Sequence, residues 1–497
     1  MKTIGIQRGN AANYIAVMVI VLAVIWQGGF SDMSWGIFGA IFAAGAILTA
    51  KKLPPKPITL LCLLLVSLYI ISALLHGAHF ESLVQVEKLF TAILALTVIY
   101  NLKNLNIATV ILLSGIIAAI LGIATFLGII DFAEASFEGR LQGTFRYANA
   151  AGIFFAVCAF ITRTYIQTRK KHIAFVFELV LLLTQSIGAI ATYLLAWMLY
   201  LFVSKKWKVF LSLLGVSVSG GVVLLYIRGA NQIVASYLDR LIQISDGTVV
   251  MLHNPLGIGP GLWGLRVLEL QSAFYSSAKM HSYLVEIGVD AGMLAIVAFG
   301  LLIAIWIRRI RESGLLPRHI AAIMLLFHGL VDITFGFLSL IILLVLLIAP
   351  DFANGIPLNK YSRYAGGMAA IIFCGFITAR LGLYNLEMWE NQGVAPESVV
   401  AEYMRDELKT ALDEYRYAKA LLYLGRYTEA ADSAIQCIQL ARYLPDGYEL
   451  LDSILLNITE SEREKYSLQA EEIRVMAEQT EHPLYKYLLK YKNNDFG

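Results

Sequence analysis

The sequence predicts an all-α polytopic membrane protein that ends in a small soluble helical domain. Of its 497 residues, 58% are hydrophobic and 15% are charged, and the mean hydropathy is +0.68, whereas soluble globular proteins carry about 25% charged residues. From Ala395 onward there are 19 acidic and 12 basic residues, while the preceding chain has 17 acidic and 27 basic residues. The chain therefore divides into a membrane domain, residues 1–385, and a C-terminal domain, residues 395–497.

Long apolar runs define the predicted membrane spans. A helix needs roughly 20 apolar residues to cross a ~30 Å hydrocarbon core, and the sequence holds about thirteen such runs, the first beginning near Ala12. No small-residue cleavage site follows this first run, so we interpret it as an anchor and not as a signal peptide. Residues 173–203 are predicted to form two short helices joined by a hairpin near residues 186–189.

Basic residues indicate the orientation of these spans. Short loops rich in lysine and arginine stay in the cytoplasm. If every run crosses, one side of the membrane receives six basic segments, namely residues 51–56, 103, 169–172, 204–208, 308–318 and 359–363. That side is predicted to be cytoplasmic. The loops at residues 131–148 and 228–280 and the C-terminal domain are then extracytoplasmic.

The C-terminal domain resembles a tetratricopeptide repeat in one stretch. Residues 417–445 place small and large residues at the spacing of two interlocking antiparallel helices. One unit is too short for a stable solenoid, so helices at Ser398–Tyr415 and Ser461–Gln479 are expected to complete the core. A generic helical bundle is the alternative. With either architecture, this domain is expected to bind or position a protein partner.

The first external loop carries two arginines where few cations are expected. Arg140 and Arg146 lie in "EGRLQGTFRYANAAGIFFAV", with Asn149 at the start of the following helix. Because the positive-inside rule disfavours cations on this side, a negative partner is expected, either an exported anionic substrate or lipid head groups. Snorkelling of the arginines to the interface is the alternative.

The second external loop adds Arg240 and His253, which precede the turn "HNPLGIGPG". Its glycines predict a tight turn whose N–H groups face an anion, and a loop folded back over the membrane surface is the alternative. Next, His281 lies one turn ahead of Glu286 at the entrance of a span. A histidine in this position acts as a base near neutral pH or as a structural hydrogen-bonding group.

Two ionisable residues lie in a later span. His328 and Asp332 in "FHGLVD" are four residues apart, which places them on one face of a helix. Ionisable groups within a span indicate function, and a satisfied structural pair is the alternative. The four cysteines show no disulfide or metal-ligand spacing.

Taken in order, five segments resemble the O-antigen ligase and polymerase family of bacterial envelope proteins. They are "RLQGTFRYANAAGIF", "LLLTQSIGAIATYLLA", "RLIQISDGTVVMLHNPLGIGPG", "HSYLVEIGVDAGML" and "FHGLVDITFGFLSLIILLVLL", and the resemblance covers residues 12–350. It implies a membrane glycosyltransferase of the GT-C type in the bacterial cytoplasmic membrane. Such enzymes transfer glycan outside that membrane from an undecaprenyl-diphosphate-linked donor to a glycan, lipid or protein acceptor, without a nucleotide sugar, metal or cofactor.

The resemblance also implies roles for particular residues. The residues expected to bind the donor diphosphate are Arg140, Arg146 and Arg240. Arg240 and His281 are expected to be catalytic. Supporting roles fall to Asn149, His253, His328 and Asp332. Many family members have an arginine after the serine of the "T-x-S-R-G" motif, whereas this chain has Ile187 there, which removes one expected cation.

Two other functions stay open. A transporter or flippase of lipid-linked oligosaccharide or anionic lipid would place charges deep in several spans and show internal repeats, but the spans hold few charges besides Glu178 and Asp332. A non-catalytic envelope scaffold would leave the external arginines without a role. The sequence therefore favours the glycosyltransferase, with no nucleic-acid partner expected. Ligase and polymerase differ in the acceptor and are not separated by sequence.

Overall fold

A computed structural model of the chain describes residues 11–102, 105–132, 135–137, 139–166, 171–212, 230–275, 277–390, 396–404, 409–485 and 489. Parts of the predicted loops lie outside these ranges. They include Lys103, residues 169 and 170 of the predicted basic segment 169–172, and residues 228 and 229 of the predicted loop 228–280.

Within the described ranges the fold is built from α-helices. They are α1 Ala11–Ile25, α2 Asp32–Thr49, α3 Lys56–Leu75, α4 Phe80–Asn101, α5 Ile107–Phe126, α6 Ala148–Tyr165, α7 Lys171–Leu183, α8 Ile187–Val203, α9 Ala230–His253, α10 Leu262–Leu270, α11 Tyr283–Ala291, α12 Met293–Ser313, α13 Pro317–Gly329, α14 Leu338–Ile348, α15 Lys360–Glu390, α16 Pro396–Tyr403, α17 Ala411–Tyr423, α18 Tyr427–Leu440, α19 Pro445–Leu455 and α20 Glu460–Thr480. Two short antiparallel ladders pair β1 Lys52–Leu53 with β4 Ile356–Pro357 and β2 Ser136–Phe137 with β3 Arg140–Leu141. The all-α fold class is confirmed.

Seven helices in this part of the chain are long and apolar enough to cross a membrane. They are Asp32–Thr49, Lys56–Leu75, Phe80–Asn101, Ile107–Phe126, Ala148–Tyr165, Met293–Ser313 and Lys360–Leu383. Four shorter apolar helices accompany them, namely Asn13–Ile25, His172–Leu183, Ile187–Val203 and Leu338–Asp351. These helices support a membrane-embedded protein, while the count of about thirteen spans stays a prediction from run length.

The hairpin expected within residues 173–203 is confirmed as α7 and α8, which are separated by a turn at residues 184–186. Close packing of this turn on α6 needs Gly152, because a Cβ atom there would lie 2.9 Å from Ser186 Cβ. Within the hairpin Glu178 forms an ion pair with Arg163 and accepts a hydrogen bond from Tyr193 at 2.5 Å. This carboxylate is therefore fully engaged inside the protein.

Several basic loops meet at one end of the helical bundle. The Lys51 N–H donates to Asn101 Oδ1 at 2.9 Å, and the Lys51 carbonyl accepts from the Leu358 N–H at 3.0 Å. Helix α4, which ends at Asn101, also contacts the turn that contains Asp351. Asp351 forms an ion pair with Arg318 at the start of α13. Identification of this end as cytoplasmic stays a prediction from the positive-inside rule.

The glycine-rich turn at residues 254–261 lies against the protein. The Ile258 N–H donates to the Val289 carbonyl at 2.8 Å, and the Gly261 N–H donates to Asp290 Oδ1 at 3.0 Å. Acceptors on α11 occupy the Ile258 and Gly261 N–H groups, so the expectation that the N–H groups of this turn face an anion is wrong for these two.

The C-terminal domain contains the expected antiparallel pair, α17 and α18, which pack against each other. The single helix expected at residues 398–415 is wrong, because α16 ends at Tyr403 and α17 begins after Thr410. Thr410 caps α17 by exchanging hydrogen bonds with Asp413, and such a cap starts a new helix. The last expected helix is confirmed as α20.

Gly292, between α11 and α12, provides a test of this packing. Its φ is +83° with ψ −179°, and a Cβ atom there would lie 2.1 Å from the Pro255 carbonyl oxygen. Gly292→Ala is expected to lower the free energy of unfolding by about 2 kcal/mol or more, since only glycine adopts this conformation without strain. The measurement is unfolding of the detergent-solubilised protein with SDS.

The matched control is Gly300→Ala on the neighbouring α12, where a Cβ atom would meet nothing within 4 Å. This variant is expected to be as stable as the parent or slightly more stable, because alanine favours helix over glycine by up to ~1 kcal/mol. Equal destabilisation by both changes would contradict the described turn.

Candidate active site

Asn149 joins the segments of the candidate site. From the first turn of α6, its amide nitrogen donates to Asp332 Oδ2 at 2.7 Å and to the Tyr147 hydroxyl at 3.1 Å. Its amide oxygen accepts from Ser186 Oγ at 2.8 Å and from Arg140 Nη2 at 3.2 Å. Both donors and the oxygen of the amide are therefore engaged, which fixes four side chains around one point.

Asp332 supplies the negative charge at this point. Its side chain is 2% exposed and pairs with Arg240, with 3.0 Å between Oδ2 and Nη1. Burial raises the pKa of Asp332, but the charge of Arg240, aided by His328, His281 and the hydrogen bond from Tyr147, outweighs burial and lowers it below its ordinary value. Asp332 is therefore an ionised carboxylate near neutral pH.

Two guanidinium groups line one small pocket of about 50 Å³. Its walls come from Arg140, Asn149, Ile187, Gly188, Ile233, Ser236, Tyr237 and Arg240. Arg140 Nε donates to the Thr184 carbonyl at 3.1 Å, and Arg240 Nη1 donates to the Val331 carbonyl at 3.1 Å. Backbone carbonyls thus hold both cations in place before any ligand arrives, which is the arrangement that stabilises developing negative charge.

His281 does not line this pocket, but the charges of Arg240 and Asp332 both act on it. Gln243 Oε1 lies 2.7 Å from its Nδ1 and 2.9 Å from its backbone nitrogen. The Gln243 amide nitrogen donates to the carbonyls of residues 277 and 279, so the amide oxygen is the atom that faces His281. An amide oxygen only accepts, so Nδ1 carries the proton and Nε2 is the basic nitrogen.

Burial lowers the pKa of His281 to about 4, with a further contribution from the Arg240 charge that Asp332 partly offsets. The imidazole is therefore neutral near pH 7. Since the folded state disfavours its protonation, His281 contributes stability above its ordinary pKa of about 6.5, and this contribution is lost as the pH falls toward 4.

Two other candidate residues do not reach the pocket. His253 lies thirteen residues after Arg240 on α9, about 20 Å along the helix axis, and its Nδ1 contacts the Val249 carbonyl at 2.8 Å. Arg146 does not line the pocket; its guanidinium carbon lies 5.0 Å from the centre of the Phe132 ring. Its Nε is buried and has no hydrogen-bond partner in the described part of the chain.

His328 and Asp332 are close, but the expectation that they share one helix face is wrong. Helix α13 ends at Gly329, and Asp332 lies in the following loop. His328 Nδ1 contacts Thr334 Oγ1 at 2.7 Å, and its Nε2 lies 3.5 Å from where a Cβ atom of Gly188 would stand. His328 therefore supports the loop that carries Asp332.

Sequence reasoning missed three contributors, namely Tyr147, Ser186 and Gln243. Ser186 belongs to the "TQSIG" stretch, and the other two carry no local pattern that marks them. Ile187, the residue after Ser186, also lines the pocket. Arg140 and Arg240 are the two arginines of this pocket within the described ranges.

Comparison with protein-family models, with curated proteins and with solved structures found no match. In the ranges that the structure covers, no group of three or more His, Cys, Asp or Glu side chains forms a metal site.

Replacement of Asn149 by aspartate tests its role at the junction. Asn149→Asp exchanges a donor for an oxygen that faces the Asp332 carboxylate. The free energy of unfolding is expected to fall by about 3 kcal/mol near neutral pH, because two buried carboxylates would be in contact. SDS unfolding in detergent provides the measurement.

Ser186→Ala is the matched control, since it removes one hydrogen bond and adds no charge. Its expected cost is about 1 kcal/mol. Similar losses in the two variants would show that Asn149 does not donate to Asp332.

Proposed function

We propose that this protein is a membrane glycosyltransferase of the O-antigen ligase and polymerase type, which uses an undecaprenyl-diphosphate-linked glycan as donor. The observation that carries the proposal is the convergence of Arg140 and Arg240 on one pocket, with the buried imidazole of His281 close enough to Arg240 to feel its charge. All three residues lie outside the candidate membrane spans. An anion-binding site at the edge of an apolar bundle suits a reaction on a lipid-linked anionic substrate.

The pocket stabilises the leaving group. In glycosyl transfer, the bond between the anomeric carbon and the diphosphate oxygen breaks, and its electron pair leaves with the lipid diphosphate. Guanidinium groups bind phosphate oxygens through paired N–H groups, and Arg140 and Arg240 present such groups with no rearrangement of their anchoring carbonyls. Their charges take the role that a divalent cation has in other transferases.

His281 activates the acceptor. The oxygen of an acceptor hydroxyl attacks the anomeric carbon, and its proton passes to Nε2 of His281, which the Gln243 contact leaves unprotonated. A single displacement of this kind inverts the configuration at the anomeric carbon. General-base catalysis contributes about 10²- to 10⁴-fold to such a step.

Arg146 completes the proposed donor site from outside the pocket. Its buried Nε lacks a partner within the described ranges, and a buried donor of this kind is stabilised when a ligand accepts its hydrogen bond. We assign it to the donor diphosphate or the adjoining sugar.

The C-terminal domain contacts α10 and the residues that follow it. The Ala411 N–H donates to Glu269 Oε1 at 3.3 Å, and the His482 N–H donates to the Ser272 carbonyl at 2.9 Å. These contacts support a role in positioning an acceptor or a protein partner close to the site. The proposed location is the bacterial cytoplasmic membrane with the site on its outer side.

Transport and scaffolding have weaker support. The sequence places two charges in predicted spans, Glu178 and Asp332. Each forms an ion pair with an arginine, whereas a carrier needs charges that exchange partners with its cargo. A scaffold does not require two anchored arginines in one pocket.

The deciding experiment measures lipid diphosphate release. Purified protein is incubated with undecaprenyl-diphosphate-linked oligosaccharide and an acceptor in the presence of EDTA. Arg240→Lys, which keeps a cation beside Asp332 but loses the guanidinium fork, and His281→Gln are each expected to lower the rate by about 10²-fold or more. The mass of the product separates ligase from polymerase.

His253→Gln is the matched control, because this exposed histidine lies far from the pocket, and it should release lipid diphosphate at the parental rate. Wild-type rates in Arg240→Lys and His281→Gln, or no release by the parent protein with the host's own donor and acceptor, would contradict the proposal.

A further inference from the structure

A second and larger cavity lies inside the membrane domain, apart from the arginine pocket. Its volume is about 440 Å³, within the ~300–1,000 Å³ typical of small-molecule sites. Residues of α2, α3, α4, α12 and α14 line it. Its deeper walls are apolar and include Leu65, Ala92, Leu96, Leu302 and Val345.

One end of this cavity is charged. Asp32, the first residue of α2, and Lys88, in the third turn of α4, form an ion pair at 2.6 Å. Lys279, Glu286 and Asp290 enter from the segment that leads into α11 and from α11 itself. The cavity is therefore amphipathic, with charges grouped at one end and hydrocarbon surface beyond them.

Lys279 is the cation at this end that is free to bind a ligand. Lys279 is an exposed residue that lines the cavity, and no carboxylate in the described part of the chain lies within ion-pair distance of its Nζ. Burial and the charge of Lys88 lower the pKa of Lys279, although three carboxyl groups act in the opposite direction. An anion beside it would offset this penalty.

The loop at residues 330–337 lines the cavity and also contacts Arg240, a residue of the arginine pocket. Ile333 and Phe335 line the cavity, whereas the Val331 carbonyl and Asp332 bind Arg240. Tyr283 packs edge-on against Phe335 with 4.8 Å between ring centres. The cavity and the arginine pocket have no lining residue in common and are therefore separate sites.

We propose that this cavity binds an amphiphile with one hydrocarbon chain and a phosphate head. The chain lies against the apolar walls, and the phosphate contacts Lys279. An ammonium group suits phosphate, which lysine binds as a point charge, and the volume accommodates one chain. This site is additional to the donor diphosphate site and stands whether or not the protein transfers glycans.

The test uses dodecyl phosphate that carries a photoreactive diazirine at the chain end. The probe is added to full-length protein in nanodiscs of zwitterionic lipid, irradiated, and mapped by mass spectrometry. Label is expected on residues 89–96 or 341–345, with unlabelled dodecyl phosphate competing at least tenfold better than dodecanol.

Two variants separate head from chain. Lys279→Gln is expected to weaken dodecyl phosphate binding about tenfold or more, the effect of losing one charge-assisted hydrogen bond, and to leave dodecanol binding unchanged. Ala92→Trp fills the cavity and should abolish both. The controls are Lys205→Gln, an exposed lysine outside the cavity, and Ile372→Trp on an exposed helix face; both should bind like the parent.

Label outside the cavity would overturn the site. Unchanged binding in the Lys279→Gln and Ala92→Trp variants, at the same unfolding temperature as the parent, would also overturn it. Dodecanoate competing as well as dodecyl phosphate would overturn the phosphate assignment in favour of a fatty acid. Because the readout is binding, failure here is distinct from failure of glycosyl transfer.

Discussion

The buried ion pair between Arg240 and Asp332 is the interaction on which the candidate site depends. It joins α9 to the loop at residues 330–337, and Asn149 extends the connection to α6 and the α8 turn. Removal of one partner from such a pair leaves an uncompensated charge at a cost of about 3–5 kcal/mol. The pair therefore fixes the position of a cation that the proposed chemistry needs, in surroundings where that cation would be unfavourable alone.

The same helix connects the site to the C-terminal domain. Asp246, six residues after Arg240 on α9, accepts hydrogen bonds from Ser272 Oγ at 2.5 Å and from the Tyr275 hydroxyl at 3.0 Å. The Ser272 carbonyl in turn accepts from the His482 N–H of the C-terminal domain at 2.9 Å. Hydrogen bonds of Ser272 therefore link the C-terminal domain to α9, the helix that carries Arg240.

The sequence predicted the elements of this molecule better than their junctions. Apolar runs and turn residues are local signals, so the α7–α8 hairpin and α20 were found, whereas the break before Thr410 was missed because a cap interrupted an otherwise helical pattern. Arg140, Arg240 and His281 stood out singly as charges or bases near span ends. Their convergence depends on contacts between residues up to 185 positions apart, such as that between Tyr147 and Asp332, and no local pattern encodes it.

The most direct test of this account is a double-mutant cycle on the central pair. Arg240→Met, Asp332→Leu and the double variant are compared with the parent by SDS unfolding in detergent. Each single change is predicted to cost about 3–5 kcal/mol, and the double change to cost no more than either one, since it removes both buried charges together. Additive losses would show that the two residues do not interact and that Asp332 does not position Arg240.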